Sequence, residues 1–152
     1  MSSKHHHQQA VQKLENGIGD VDGRLSEWVS DYCEEQQNRF GHVLDLVDES
    51  HPGGTVAEIG SIPCQLQWLL GEVGHEVVGV DIDPSRAMHI INRYDLDVRQ
   101  CDLDTDRIPI EDESVGVAVF SEVLEHITNP LHALREIRRI LRPGGAIVIT
   151  TP

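Results

Sequence analysis

The sequence predicts an α/β protein: about five parallel strands, three layers, helices on both faces of the sheet and further helices at the N-terminus. Two observations carry this. Five short apolar runs alternate with stretches of helical periodicity from residue 55 onward, and alternating β and α elements imply a parallel sheet joined by crossover helices. Residues 56–81, VAEIGSIPCQLQWLLGEVGHEVVGVD, also have the layout of a nucleotide-binding βαβ unit. An apolar run there closes on Glu58 and Gly60, a tight loop and an amphipathic stretch follow, and a second run closes on Asp81, 21 residues after Gly60.

Along the chain, residues 1–20 begin MSSKHHHQQAVQ, polar enough to be expected as a disordered tail without a signal peptide. Residues 21–152 are expected to form the domain, with N-terminal helices over 21–51 and a βα core over 55–152. Leu25, Trp28, Val29 and Tyr32 keep the i, i+3, i+4, i+7 rhythm of a helix face, and Phe40, Val43, Leu44 and Val47 repeat it. Helix core is the expected place for Trp28 and Tyr32, ahead of a cover over a cleft. Strands are expected at 56–60, 76–81, 97–102, 115–121 and 146–150. Helices are expected at 65–73, 85–94 and 130–141, the first burying Leu66, Leu69, Leu70 and Val73. The last is expected to bury Leu131, Leu134, Ile137 and Leu141 before Arg142-Pro143-Gly144-Gly145 stops it. The fifth run, AIVIT, is apolar enough to want neighbours on both sides. An edge position would make it an association hazard. The expectation is therefore either that the stretch is a piece of a longer protein with an incomplete C-terminus, or that the strand pairs with another chain such as a second copy.

Composition excludes several partners. With 26 acids against 12 bases the net charge is −14, and only Lys4 and Lys13 are lysines. No basic footprint for nucleic acid exists. No apolar run approaches the ~20 residues that cross a bilayer, so no membrane partner is expected. An acidic, lysine-poor surface suits a salty, halophilic cytoplasm, where screening relieves self-repulsion. Cys33, Cys64 and Cys101 form neither a CxxC pair nor a zinc pattern, so reduced thiols and no metal are expected.

The first loop decides between cofactors. A dinucleotide fingerprint puts a second glycine where the backbone approaches a pyrophosphate; Ile62 stands there, and Pro63 removes an amide donor. NAD and FAD are disfavoured, and no G-K-[ST] follows to form a P-loop. A cofactor without phosphates asks less: one glycine for close passage, an acid for the ribose and a polar group near the adenine. Gly60, Asp81 and Asp102 stand at the ends of the first three strands, on the rim where such a ligand binds.

From about Val56 to Pro152 the chain resembles the class I S-adenosylmethionine-dependent methyltransferases that mostly modify small molecules. VAEIGS resembles their first motif and VVGVDIDP their second. QCDLDTDRIPIEDESVGVAVFSEVLEHI and NPLHALREIRRILRPGGAIVITTP resemble the later stretches. Two features differ: Cys64 stands where related loops usually keep glycine, and Gly116 stands where an acid is frequent. The resemblance implies a Rossmann-like sheet of order 3-2-1-4-5, without the family's closing hairpin, and S-adenosylmethionine as cofactor. It implies that Glu58, Gly60 and Ser61 line the methionine end and that Asp81 takes the ribose hydroxyls. Ile82 would lie against adenine, Asp102 and Leu103 would meet its amine edge, and Ser121 and Glu122 would face the transferred methyl or the substrate.

Methyl transfer needs alignment above all, and a base only where the acceptor must lose a proton. Glu122, Glu125 and His126 are the candidates, with His126 and Glu122 chosen as catalytic. The plainer role for Glu125 and His126 is ordering the turn before Asn129-Pro130. Asp81 has the plainer alternative of a helix cap, for which Asp83 is the better candidate. Asp102 has that of a solvated loop acid. Cys64 is either a thiol activated at a helix N-terminus or, as expected, a stand-in for a small residue. Two function classes follow: a methyltransferase acting on a small-molecule acceptor in the cytoplasm, or a methyltransferase-fold module without activity that serves binding or assembly. A nucleotide-dependent oxidoreductase is opposed by Ile62 and Pro63.

Overall fold

In the structure, a computed structural model describing residues 3–17, 26–50 and 53–152, the five apolar runs form one sheet. Strands β1 (Thr55–Ile59), β2 (Val77–Asp81), β3 (Asp97–Gln100), β4 (Val115–Ser121) and β5 (Leu141–Thr150) lie in the order β3-β2-β1-β4-β5. Every neighbouring pair is parallel. The chain reverses its direction of winding between β1 and β4, so a crevice opens at their C-terminal tips, where open α/β sheets bind ligands.

Helices α1 (Ser3–Gly17), α2 (Ser26–Ser50), α3 (Gln65–Glu72), α4 (Met88–Tyr94) and α5 (Pro130–Ile140) supply the outer layers. Strand alternation sorts the core into two halves. Val56, Val117, Val119 and Val148 share one cluster with Leu14 of α1, Phe40, Val43, Leu44 and Val47 of α2, and Leu69 and Leu70 of α3. Ala57, Ile59, Val80, Ala118 and Phe120 pack on the other side with Ala133, Ile137 and Ile140 of α5. Among the described residues no helix is long and apolar enough to cross a membrane.

Four sequence expectations need correction. Residues 3–17, expected as a disordered tail, form α1. His7, Ala10, Val11 and Leu14 are buried and spaced i, i+3, i+4, i+7, a helical face that a polar composition conceals. His7 sets its two ring nitrogens 2.8 Å from Asp45 and 2.9 Å from Asp48 on α2, and Asp48 also meets His75 at 3.0 Å. Second, α5 does not bury Leu131 and Leu134, which are 56% and 38% exposed; Ala133, Ile137 and Ile140 face the sheet instead.

Third, β5 begins at Leu141 rather than at 146, because Leu141 already pairs with Val115 before a register shift. Fourth, Asp83 precedes the 3₁₀ turn Pro84–Ala87 without a side-chain cap bond to the backbone; it accepts the Ser85 hydroxyl instead. Gly116 also gains a physical reason. A Cβ there would lie 2.3 Å from the Gly53 carbonyl oxygen, which also accepts from Arg142. The side chains of Trp28, Tyr32 and Cys33, and the whole of Leu25, lie outside the described residues.

Candidate functional site

The tips of β1, β2 and β4 enclose a cavity of about 340 Å³. Glu58, Gly60, Ser61, Asp81, Ile82, Asp102, Leu103, Ser121, Glu122 and His126 all line it. These are the ten residues nominated from the sequence. Glu125 is absent from the lining.

The loop after β1 is built by main-chain bonds. The amides of Gly60 and Ser61 both donate to the Val80 carbonyl, at 2.8 and 3.1 Å, drawing the loop over the tip of β2. Gly60 has φ +81°, and an added Cβ would lie 2.3 Å from Val123 Cγ2. Only glycine meets both conditions. Asp81 then locks the loop: its Oδ2 accepts from the Ile62 amide at 3.0 Å and its Oδ1 from the Asp83 amide at 3.2 Å. That role was missed from sequence. Each carboxylate oxygen keeps a second lone pair for a ligand hydroxyl.

Cys64 closes the loop with φ 75°, the left-handed conformation glycine favours, which explains why related loops keep glycine there. Burial, followed by the charges of Glu58 and Asp81, pushes its thiol up to about 12. With its side chain fully buried as well, Cys64 fits the packing role better than that of an activated thiol. Cys101, also on the cavity wall, is raised to about 11, again chiefly by burial.

Glu58 lies buried on β1. Loss of solvent pushes its carboxyl well above the usual range, and the charge of Asp81 adds to the rise. A main-chain bond from Gln67 and the charge of Arg39 oppose it. Glu58 Oε2 and Ser61 Oγ are buried polar atoms without a hydrogen-bond partner among the described residues. Both residues line the cavity, but these two atoms are themselves enclosed by protein.

On the far wall, Asp102 Oδ1 accepts from the Asp104 amide at 2.9 Å, while Leu103 is buried and Ile82 is exposed. Asp104, also in the lining, was not singled out from sequence. Its Oδ1 accepts from the amides of Thr128 and Asn129, at 2.8 and 2.7 Å. These bonds, the Asn129 amide foremost, hold its carboxyl below the usual carboxylate range. Asp104, rather than Glu125 or His126, thus orders the turn before Pro130. His126 sits in a 3₁₀ turn, Leu124–His126, with its side chain 75% exposed and 3.9 Å from Glu125.

Beyond β4, Glu122 adopts φ 56°, a conformation that non-glycine residues hold only where their surroundings enforce it. Its amide donates to the Thr150 carbonyl at 3.0 Å. Its Oε1 accepts the Thr150 hydroxyl at 2.9 Å, and Thr150 Oγ1 in turn lies 2.7 Å from Ser121 Oγ. Since Thr150 donates to the carboxylate, Ser121 donates to Thr150. Arg39 of α2 lies 3.4 Å from the same Glu122 oxygen. Neither Thr150 nor Arg39 carries a local sequence signal, because both reach Glu122 only through the fold.

Comparison with known proteins gives a consistent result. Residues 57–149 match a family described as a methyltransferase domain. Over 85 residues the chain is 35% identical to a protein of Mycolicibacterium smegmatis named as a probable S-adenosylmethionine-dependent methyltransferase, covering 55% of this chain and 32% of that one. The chain therefore spans about a third of the length of such curated relatives. A crystal structure of a candidate S-adenosylmethionine-dependent methyltransferase from Methanococcus maripaludis superposes with a TM-score of 0.63 at 25% identity, over 70% of this chain and 52% of that one. A candidate methyltransferase of Haloferax volcanii, solved in complex with the Trm112 methyltransferase activator, gives a TM-score of 0.58 at 26% identity, over 76% and 54%.

Proposed function

The chain belongs to the methyltransferase domain family, whose cofactor is S-adenosylmethionine, and from that premise we propose that it methylates a small-molecule acceptor. The observation supporting this most is the convergence of Glu58, Gly60, Asp81, Asp102 and Glu122 on one cavity at the strand tips. The cavity also fits the cofactor chemically. Its wall carries Glu58, Asp81, Asp102 and Glu122, a donor set that suits hydroxyls, an amine and a cation.

S-adenosylmethionine supplies a methyl group activated on a sulfonium. Asp81 would take the ribose hydroxyls, on a carboxylate already oriented by the amides of Ile62 and Asp83. Ile82 would lie against adenine, and Asp102 with Leu103 would meet its amine edge. Glu58, Gly60 and Ser61 would receive the amino-acid end. Ser121 and Glu122 face the acceptor, where Glu122 removes a proton if the acceptor carries one. Thr150 keeps that carboxylate aimed, and His126 at the rim is the second proton acceptor. Alignment rather than acid–base chemistry accounts for most of the acceleration, with a ceiling of about 7–11 kcal/mol.

Titration calorimetry with S-adenosylhomocysteine at high salt tests this. Saturable heat is expected, and Asp81→Ala should abolish it. Absence of heat and of any thermal shift would favour a second reading, in which the fold serves binding or assembly without catalysis. One observation speaks for that second reading: both oxygens of Asp81 already accept main-chain bonds.

Two further expectations belong to this reading. The acidic surface suits a salt-rich cytoplasm, and stability unchanged between low and molar salt would reject it. Strand β5 ends the sheet and would pair with a second copy, a dimer that sedimentation at several protein concentrations would reveal.

A further inference from the structure

Asp104 joins two parts of the cavity wall that lie far apart in sequence. It belongs to the loop after β3, beside Asp102 and Leu103, and lines the cavity itself. Its main-chain amide donates to Asp102 Oδ1 at 2.9 Å. Its Oδ1 accepts the amides of Thr128 and Asn129, at 2.8 and 2.7 Å, and its carbonyl accepts the Asn129 side-chain amide at 3.3 Å. Asp102 thus reaches the stretch between β4 and α5 through Asp104 alone.

That stretch gains from an outside hold. No residue of its 3₁₀ turn Leu124–His126 is buried, and no side chain caps the start of the turn. Yet Ser121, Glu122, Val123, His126 and Ile127 all line the cavity. Segments with few buried contacts open at low free energy. Capping α5 does not account for the Asp104 carboxylate, because Asn129 caps that helix with its own side chain, accepting from the His132 amide at 3.3 Å. Asp104 takes the two amides just ahead of the helix instead.

We propose that Asp104 is a positioning residue that couples the adenine side of the cavity to its acceptor side. A nucleoside amine on Asp102 fixes that carboxylate, Asp102 holds the Asp104 amide, and Asp104 holds the stretch that the acceptor meets. The inference rests on the methyltransferase reading and deepens it. Ordering already imposed by the cofactor is ordering the acceptor need not impose, so the two ligands assist each other without touching. The bonds run through one contiguous chain of groups, and both ends bias the same segment.

Amide hydrogen exchange on the full chain tests this. The probes are S-adenosylhomocysteine and methylthioadenosine, which keeps the adenine but lacks the amino-acid tail. In the wild type both should slow exchange over residues 124–127, ahead of the two amides that Asp104 holds, by about fivefold or more. In Asp104→Ala both probes still bind, and that slowing disappears. Asp104→Asn keeps an accepting oxygen without the charge that strengthens such bonds, and its response falls between the two. A bound probe that leaves wild-type exchange unchanged overturns the coupling, as does equal slowing in wild type and Asp104→Ala. Slowing by S-adenosylhomocysteine but not by bound methylthioadenosine also overturns it, because the tail would then act directly. An Asp104→Asn response as large as the wild type's does the same, which keeps the test decisive if the alanine variant fails to fold. Wild type that binds neither probe overturns the methyltransferase reading, and the coupling falls with it.

Discussion

The tips of β1 and β2 and the tip of β4, which β5 backs, face each other across one cavity, yet they are held by different means. On the β1–β2 side the backbone does the holding. Gly60 and Ser61 donate to Val80, Cys64 donates to Ser61, and Asp81 accepts from the loop. On the β4–β5 side, side chains form a hydroxyl–hydroxyl–carboxylate chain through Ser121, Thr150 and Glu122, with Arg39 arriving from α2. A main-chain network tolerates few residue types and fixes their spacing. A side-chain network draws on residues far apart in sequence and can be rebuilt for a new acceptor. The first arrangement suits a shared cofactor, the second a variable substrate.

The largest effect is expected from Gly60→Ala, which meets both the positive φ and the clash with Val123. A loss of about 2–4 kcal/mol should appear in urea unfolding. Adding Val123→Ala should recover the clash but leave about 1–3 kcal/mol of backbone strain. Full stability in the single variant would mean that the β1 loop is not set by its backbone. Thr150→Val probes the opposite wall by removing one hydroxyl while keeping shape. It leaves Ser121 and Glu122 short of a partner, at about 1–3 kcal/mol, and should depress turnover more than S-adenosylhomocysteine affinity. An equal fall in both would break the division into a cofactor wall and an acceptor wall.

The smallest effect is expected from Glu58→Gln, and it depends on pH. The folded-state pKa of Glu58 is raised above its ordinary 4.5, chiefly by burial. Its contribution to stability is therefore complete below that ordinary value and is lost as pH rises through the folded pKa. Glu58→Gln should match the wild type near pH 4.5 and gain on it as pH increases, followed by thermal unfolding across the range. A wild-type advantage that grows with pH would reverse the assigned sign.

The parallel sheet and its strand-end residues Gly60, Asp81 and Asp102 were legible because apolar runs, acids and one glycine lie at fixed spacing. The strand order and the rest of the nominated lining followed from the resemblance. Three elements were obscured for separate reasons. Helix α1 buries His7 beside Ala10, Val11 and Leu14, and a tail rich in histidine and glutamine masks that stripe. In α5 the large Leu131 and Leu134 suggest the buried face, whereas Ala133, Ile137 and Ile140 form it. Arg39, Asp104 and Thr150 were unreadable because each bonds a partner at least 24 residues away. Cys64 lies between these cases: its departure from glycine was visible, but its φ of 75° was not.

Strand β5 gives the acidic composition a second meaning. It closes one side of the sheet with Ile147 and Ile149 exposed, a template onto which another polypeptide can zip. Two copies meeting there would each bring a net charge of −14, and at low ionic strength this long-range repulsion would keep them apart. Near 1 M salt the screening length falls to about 3 Å, and the barrier collapses. Salt that screens charge within each molecule would equally screen it between molecules, so colloidal behaviour and conformational stability should answer to salt in opposite directions.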